Sequence, residues 1–213
     1  MGRRALPKID PSIEFDHFMC RVDELDDDFC IDELFGRSAP LEVEVGSGKG
    51  LFLQNASRDN PDVNYLGNEA AHKYARFCAY RFAKLGCRNA RMIAGDGLKL
   101  FRDFLKDDSV RAVHVYFPDP WWKASHRRRR IMTPGFVADV QRVLEPGGVF
   151  HFWTDVEEYF EATIELMAAK SDLSPPTMID PAEASHDMDY RTHFERRMRL
   201  HDHPVFRAKF VKK

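Results

Sequence analysis

The order of elements along the chain predicts an α/β fold, a doubly wound Rossmann-like architecture built around a mostly parallel sheet. Three observations predict it. Short runs rich in Val and aromatic residues alternate with stretches of helical period. A glycine-rich turn, "GSGKG", directly follows the first of these runs. Acidic residues close three successive strands, at the carboxyl edge where sheets of this kind hold their ligands.

The elements follow in order. "LEVEV" (41–45) is a short strand, and "GLFLQNASRD" (50–59) is a helix that "NPD" stops. "NYLGNE" (64–69) is the second strand, and "AHKYARFCAYRFAKLG" (71–86) is a helix that ends at Gly86. "ARMIAGD" (90–96) is the third strand. "VRAVHVYF" (110–117) suits a strand buried on both faces, and "PDPWW" breaks it into a loop. A helix over 133–144 starts on Thr133 with Pro134 in its first turn, a good capping pair. "EPGG" then turns into the strand "VFHFWT" (149–154), and "DVEEYFEATIELMAAK" (155–170) is the next helix. "SDLSPPTMIDPAEASHDMD" (171–189) reads as a proline-bearing polar loop. The segment "YRTHFERRMRLHDHP" and an alternating strand "VFRAKFV" (205–211) complete the chain.

With 213 residues, one domain is expected, over 41–213, preceded by an acidic, partly ordered lead over 1–40. No apolar run approaches the roughly 20 residues a membrane helix needs, and no signal-peptide stretch is seen, so a cytoplasmic location is expected. Cys20, Cys30, Cys78 and Cys87 form no Cys-x-x-Cys pair and are read as buried thiols. His126, His193 and the pair His201 and His203 lack the company a metal needs, and no metal is expected. The formal charge of -2 hides an asymmetry: residues 10–36 hold ten acids against Arg21 alone, whereas "WWKASHRRRR" holds five basic residues and no acid. The tail over 191–213 adds eight basic residues against Glu195 and Asp202. Charge segregated in this way reads as a polyanion-binding face.

The glycine turn discriminates among ligands. A triphosphate loop needs a glycine five residues before Gly48, where Val43 stands, and a Ser or Thr after Lys49, where Gly50 stands. A dinucleotide turn needs a third glycine where Leu51 stands. Glu44, two residues before Gly46, suits a cationic ligand group and would repel a pyrophosphate. S-adenosyl-L-methionine carries an ammonium and a sulfonium and no phosphate. Glu69 is placed to take both ribose hydroxyls, and Asp96 to accept from the adenine amino group. Beyond the fourth strand, the prolines flanking Asp119 fix the direction of its carboxylate, and Trp121 and Trp122 offer faces on which a base can stack. Two rivals, an RNA binder without catalysis and a small-molecule methyltransferase, are disfavoured by the complete acidic set and by the basic run respectively.

Taken in order, "EVGSGKG", "GNE", "AGDG", "FPDPWWKASHRRRR", "WTDVEEY" and "THFERR" resemble the bacterial tRNA (guanine-N7-)-methyltransferases over residues 41–210. The resemblance implies an S-adenosyl-L-methionine-dependent methyltransferase fold with a mostly parallel seven-stranded sheet. It also implies methylation of N7 of a guanosine in the tRNA variable loop, position 46. By position it implies that Glu44, Gly46, Gly48, Glu69, Asp96 and Asp119 line the cofactor site, with Asp119 also catalytic. Lys123, Asp155, Thr192, His193, Phe194 and Glu195 are implied to contact the substrate. Arg127, Arg128, Arg129 and Arg130, with the basic tail, are expected to hold tRNA phosphates. The expected partner is tRNA, with no membrane and no obligatory protein partner. The chain departs from the family pattern at Asn68, Trp122, Ala124 and Asp202. Asp155 is also expected to cap the helix that follows it.

Overall fold

A computed structural model describes residues 6–181 and 190–213 of the chain. The part of the polar loop expected over 182–189 lies outside the described residues. The strands are β1 (Met19–Arg21), β2 (Leu41–Val45), β3 (Asn64–Glu69), β4 (Ala90–Ala94), β5 (Val110–Tyr116), β6 (Leu144–Thr154), β7 (Thr177–Met178) and β8 (Phe206–Val211). They form one sheet in the order β1-β4-β3-β2-β5-β6-β8-β7. Pairing is parallel from β1 through β6, while β8 runs antiparallel to both β6 and β7.

Among the described residues the sheet has eight strands, not the expected seven. Two of them lie where the sequence pattern shows no alternation. β1 comes from the acidic lead and pairs with β4 through Met19↔Met92, Cys20↔Ile93 and Arg21↔Ala94. β7 has two exposed residues inside the stretch read as a polar loop. Backbone pairing at an existing sheet edge, not side-chain burial, makes both of them strands. The expected turn "EPGG" lies within β6 as an irregularity, between the pairs Val110↔Leu144 and Ala112↔Val149.

The helices are α1 (Ile31–Phe35), α2 (Leu51–Asp59), α3 (His72–Leu85), α4 (Gly97–Lys99), α5 (Pro134–Val143), α6 (Glu157–Lys170) and α7 (His193–Leu200). α4 and the wider turn Leu100–Phe104 fill a stretch to which the sequence reading gave no element. The pair at the start of α5 is as expected: Thr133 Oγ1 accepts from Phe136 N at 3.2 Å, with Pro134 at the first position.

Alternate residues of each strand feed two cores. Val43, Val113, Val115, Phe150 and Phe152 pack with Phe136 and Val140 of α5 and Phe160 of α6. Tyr65 and Met92 pack with Leu53 of α2, Phe77 and Phe82 of α3, and Phe15 and Phe18 of the lead. All four cysteines are free, and Cys78 and Cys87 are buried, whereas Cys20 and Cys30, on the lead, are only half-buried. Among the described residues no helix is long and apolar enough to cross a membrane, and no group of three His, Cys, Asp or Glu side chains is placed to hold a metal.

Candidate active site

Three parallel strands deliver the cofactor half of the site. β2 ends in the turn 46–50, where Gly46 and Gly48 adopt φ of +79° and +55°, a region that costs side-chain-bearing residues about 1–2 kcal/mol. The turn is held by its backbone. Gly46 N and Ser47 N both donate to Asn68 O, at 2.8 and 3.0 Å, and Gly48 N donates to Glu69 Oε2 at 2.9 Å. From α3, Cys78 Sγ donates to Gly48 O at 3.2 Å and Arg81 Nη1 to Lys49 O at 2.6 Å, while Arg81 Nη2 donates to Gln54 Oε1. Neither Cys78 nor Arg81 stands out in the sequence, because each works on a turn about thirty residues away in the chain.

Glu44 is 3% exposed, and its buried Oε2 has no hydrogen-bond partner among the described residues. Burial pushes its carboxyl up to about 8, against the opposing effects of the Ser47 hydroxyl and of Arg191, and the neighbouring Glu69 charge pushes the same way. Glu69 is buried, with Oε2 on Gly48 N and Oε1 on Ala71 N at 2.9 Å. Each of its oxygens thus has one bond from the backbone and a second lone pair in reserve. Asp96 is exposed and caps α4, its Oδ1 accepting from Leu98 N at 2.9 Å. Asn68, a departure from the family pattern, is buried and donates to Ile93 O and Gly95 O, which ties the ends of β3 and β4 together. An orphaned buried carboxylate oxygen beside a glycine turn fits a ligand ammonium. Two further acids at adjacent strand ends fit a ribose diol and an exocyclic amine, so the residues present fit S-adenosyl-L-methionine.

The acceptor half begins where β5 ends. Phe117, with φ of +52°, donates its N–H to Trp153 O at 2.8 Å, and Trp121 has φ of +45°. Two bulky residues in the left-handed region mark a strained loop, and such strain concentrates at functional sites. Asp119 lies between them, exposed. Trp121 is covered by Arg129, 5.1 Å from its ring, and by His126 edge-on, whereas Trp122 is 63% exposed. Arg130 is turned inward: Nε donates to Pro120 O at 2.7 Å and the guanidinium lies 4.5 Å over Tyr159. It braces the loop, leaving Lys123, Arg128 and Arg129 exposed; the side chain of Arg127 lies outside the described residues.

The segment from Thr192 to Glu195 comes back across both halves. Phe194 lies against Phe117 with ring centroids 4.8 Å apart. Desolvation pushes the pKa of the His193 imidazole down to about 4, and the cations Arg81, Lys49 and Arg196 push the same way, so it shares the field of the glycine turn. Thr192 Oγ1 caps α7 by accepting from Glu195 N at 3.0 Å. Glu195 is buried, with Oε2 on Arg191 N at 2.7 Å and Oε1 on Arg207 Nη2 at 3.0 Å, which fastens α7 to β8. After α7 the chain turns through Asp202 at φ of +53°, a conformation glycine adopts without cost.

Asp155 does not cap α6, contrary to expectation. The helix starts on Val156 with no side-chain cap, and Thr154 Oγ1 accepts from Val156 N at 3.2 Å. The half-buried Asp155 carboxylate is one residue too early for the cap position. Beneath the site lies a buried polar group that the sequence reading missed. His114 Nε2 meets Glu42 Oε2 at 3.0 Å, its Nδ1 meets Tyr116 Oη at 2.9 Å, and its ring stacks on His151 at 5.0 Å. The signal for it was present. "LEVEV", "VHVY" and "FHFW" each alternate apolar residues with polar or aromatic ones, and register sets Glu44 beside His114, His114 beside His151, and Tyr116 beside Trp153 on one face.

Comparison with known proteins identifies the family and the fold. The family model Methyltransf_4, described as "Putative methyltransferase", matches residues 38–208. The chain is 44% identical to the tRNA (guanine-N(7)-)-methyltransferase of Rhodopirellula baltica, over 100% of this chain and 81% of that one. It is 37% identical to the enzyme of the same name from Cronobacter sakazakii, over 83% of this chain and 74% of that one. Among solved structures, the 16S rRNA methyltransferase KamB superposes with a TM-score of 0.60 at 17% identity, covering 85% of this chain and 92% of that one. A 30S ribosomal A1408 methyltransferase from an uncultured bacterium superposes with a TM-score of 0.59 at 16% identity, covering 89% and 95%. These two likenesses speak to the fold alone. S-adenosyl-L-methionine is therefore the methyl donor, and the chain belongs to the tRNA (guanine-N7-)-methyltransferase family.

Proposed function

We propose that the protein methylates N7 of a guanosine in the variable loop of tRNA, position 46, producing 7-methylguanosine in the cytoplasm. The observation that carries this reading is the strained, proline-flanked Asp119 loop beside the cofactor turn, edged by exposed Trp122, Lys123, Arg128 and Arg129. A small-molecule acceptor has no use for that edge, whereas an RNA strand needs both stacking faces and cations.

When bound, S-adenosyl-L-methionine supplies an electrophilic methyl group on a sulfonium. Glu44 holds the ammonium end, Glu69 the ribose hydroxyls through its remaining lone pairs, and Asp96 the adenine amine, beside the backbone of Gly46 and Gly48. Guanine N7 carries an in-plane lone pair and no proton, so the attack needs no general base. Asp119 acts by position and charge: its carboxylate stabilises the positive charge that grows on the guanine ring and accepts from ring N–H groups. Phe117 and Phe194 form an apolar wall for a guanine turned out of the tRNA core. Thr192, His193 and Glu195 position that wall, and Lys123 and Asp155 contact the nucleotide or its neighbours. Arg128 and Arg129 meet phosphates.

Site mapping tests the reading. Transfer RNA incubated with the protein and its methyl donor, then reduced with borohydride and treated with aniline, breaks at 7-methylguanosine. A single break at the variable-loop guanosine is expected. Breaks elsewhere, or methyl incorporation without any break, would contradict the assignment.

A further inference from the structure

Among the described residues the buried Oε2 of Glu44 has no donor, and Trp153 Nε1 and Arg207 Nε, in residues more than nine-tenths buried, are donors with no acceptor. All three belong to the polar face that includes His114 and Tyr116, with Trp153 registered between Tyr116 and Arg207. Glu44 stands two strands from Trp153 and three from Arg207, so the acceptor and the donors mark the two ends of that face.

Arg191 joins the two ends. Its guanidinium lies 5.2 Å over the ring of Phe52, the second residue of α2 after the glycine turn, and 5.6 Å over the ring of Trp153. Arg207 lies 5.0 Å over the same Trp153 ring but is paired with Glu195. Arg191 is the cation whose charge acts on the Glu44 carboxylate. An α-amino acid places its carboxylate about 3 Å from its ammonium, so a ligand ammonium on Glu44 brings its carboxylate close to two protein acids, Glu44 and Glu69, where it needs a cation.

We propose that Arg191 recognises the carboxylate of the cofactor's amino-acid end and so completes a zwitterion clamp that Glu44 begins. The inference rests on the cofactor assignment to Glu44. Arg191 is bound through its backbone N–H to Glu195 and directly precedes Thr192, so a cofactor carboxylate on Arg191 adds a ligand contact to the segment 192–195, which already lies over Phe117.

The test is calorimetric binding of S-adenosylhomocysteine and of its decarboxylated analogue to wild type, Arg191→Gln and Arg191→Lys, with tRNA binding measured alongside. Arg191 is exposed, so the variants are expected to melt with wild type. Wild type is expected to prefer the carboxylate-bearing ligand. Arg191→Gln should weaken that ligand by about tenfold or more, leave the analogue unchanged, and abolish the preference, while Arg191→Lys restores part of it. Equal weakening of both ligands, or none, overturns the proposal. An intact carboxylate preference with weakened tRNA binding also overturns it, because the oxyanion on Arg191 is then an RNA phosphate. If wild type binds neither ligand, the cofactor assignment itself fails.

Discussion

The two halves of the site are built on opposite principles. In the cofactor half, Glu44 and Glu69 are buried, and backbone fixes the second: Glu69 holds two amide N–H groups, and the turn it grips is also held by Asn68, Cys78 and Arg81. In the acceptor half, Asp119, Trp122, Lys123, Arg128 and Arg129 are exposed, and rigidity comes from strained φ angles at Phe117 and Trp121 and from the inward brace of Arg130. The difference follows the ligands proposed for the two halves. A small cofactor can be enclosed and matched atom by atom, so desolvated charges are useful there. A tRNA is too large to enclose, and cations facing it keep their hydration until phosphates replace it.

The contrast is broken most directly at Asp119. Asp119→Ala is expected to lower single-turnover methyl transfer by about 10²–10³-fold, the scale for losing one preorganised electrostatic group, with little change in cofactor affinity. A parallel loss of cofactor binding would assign Asp119 to the first half instead of the second.

Protonation of Glu44 sharpens the other side. An ammonium ligand needs the carboxylate, so cofactor affinity is expected to rise about tenfold per pH unit up to about 8 and then level off, with the slope flattened in Glu44→Gln. The unliganded fold has the opposite sign. Because the folded pKa is raised, the stability contribution is fully present below the ordinary carboxylate range and is lost as pH rises through about 8, so wild type should lose stability relative to Glu44→Gln across that window. Calorimetric titrations and thermal melts at several pH values measure both slopes, and a pH-independent affinity in wild type would remove Glu44 from the ammonium.

Smaller effects separate stacking from charge. Trp122→Ala should weaken tRNA binding by about 1–3 kcal/mol with a normal salt slope. Arg128→Glu should instead reduce the slope of log affinity against log salt by about one. An unchanged slope and affinity would exclude Arg128 from phosphate contact. The smallest expected effect is structural: Thr133→Ala removes the cap of α5 and should cost about 1 kcal/mol in denaturant unfolding, with methyl transfer unaffected.

The cofactor half was legible in the sequence because its grammar is local. A strand, a turn that needs positive φ and an acid at the strand end all fall within a few residues, as at Glu44 and Gly46. The acceptor loop was legible as a motif, yet the division of labour within it was not. That Arg130 braces while Arg128 and Arg129 face outward depends on Tyr159 and Pro120, from other parts of the fold. Asp155 was assigned a cap that Thr154 and the position of Val156 leave it no room to make. β1 was hidden because its three residues are recruited by the edge of β4 and show no period of their own. The polar face under the site was visible as alternation within each strand, but only register brings Glu44, His114, His151 and Trp153 together.

The central claim is that the attacked atom is N7 of one tRNA guanosine. Transfer of labelled methyl from S-adenosyl-L-methionine to an unmodified tRNA transcript, compared with the same transcript carrying 7-deazaguanosine at the variable-loop position, isolates that atom without disturbing base pairing. The account predicts label on the first transcript and none on the second; equal labelling of both would contradict it.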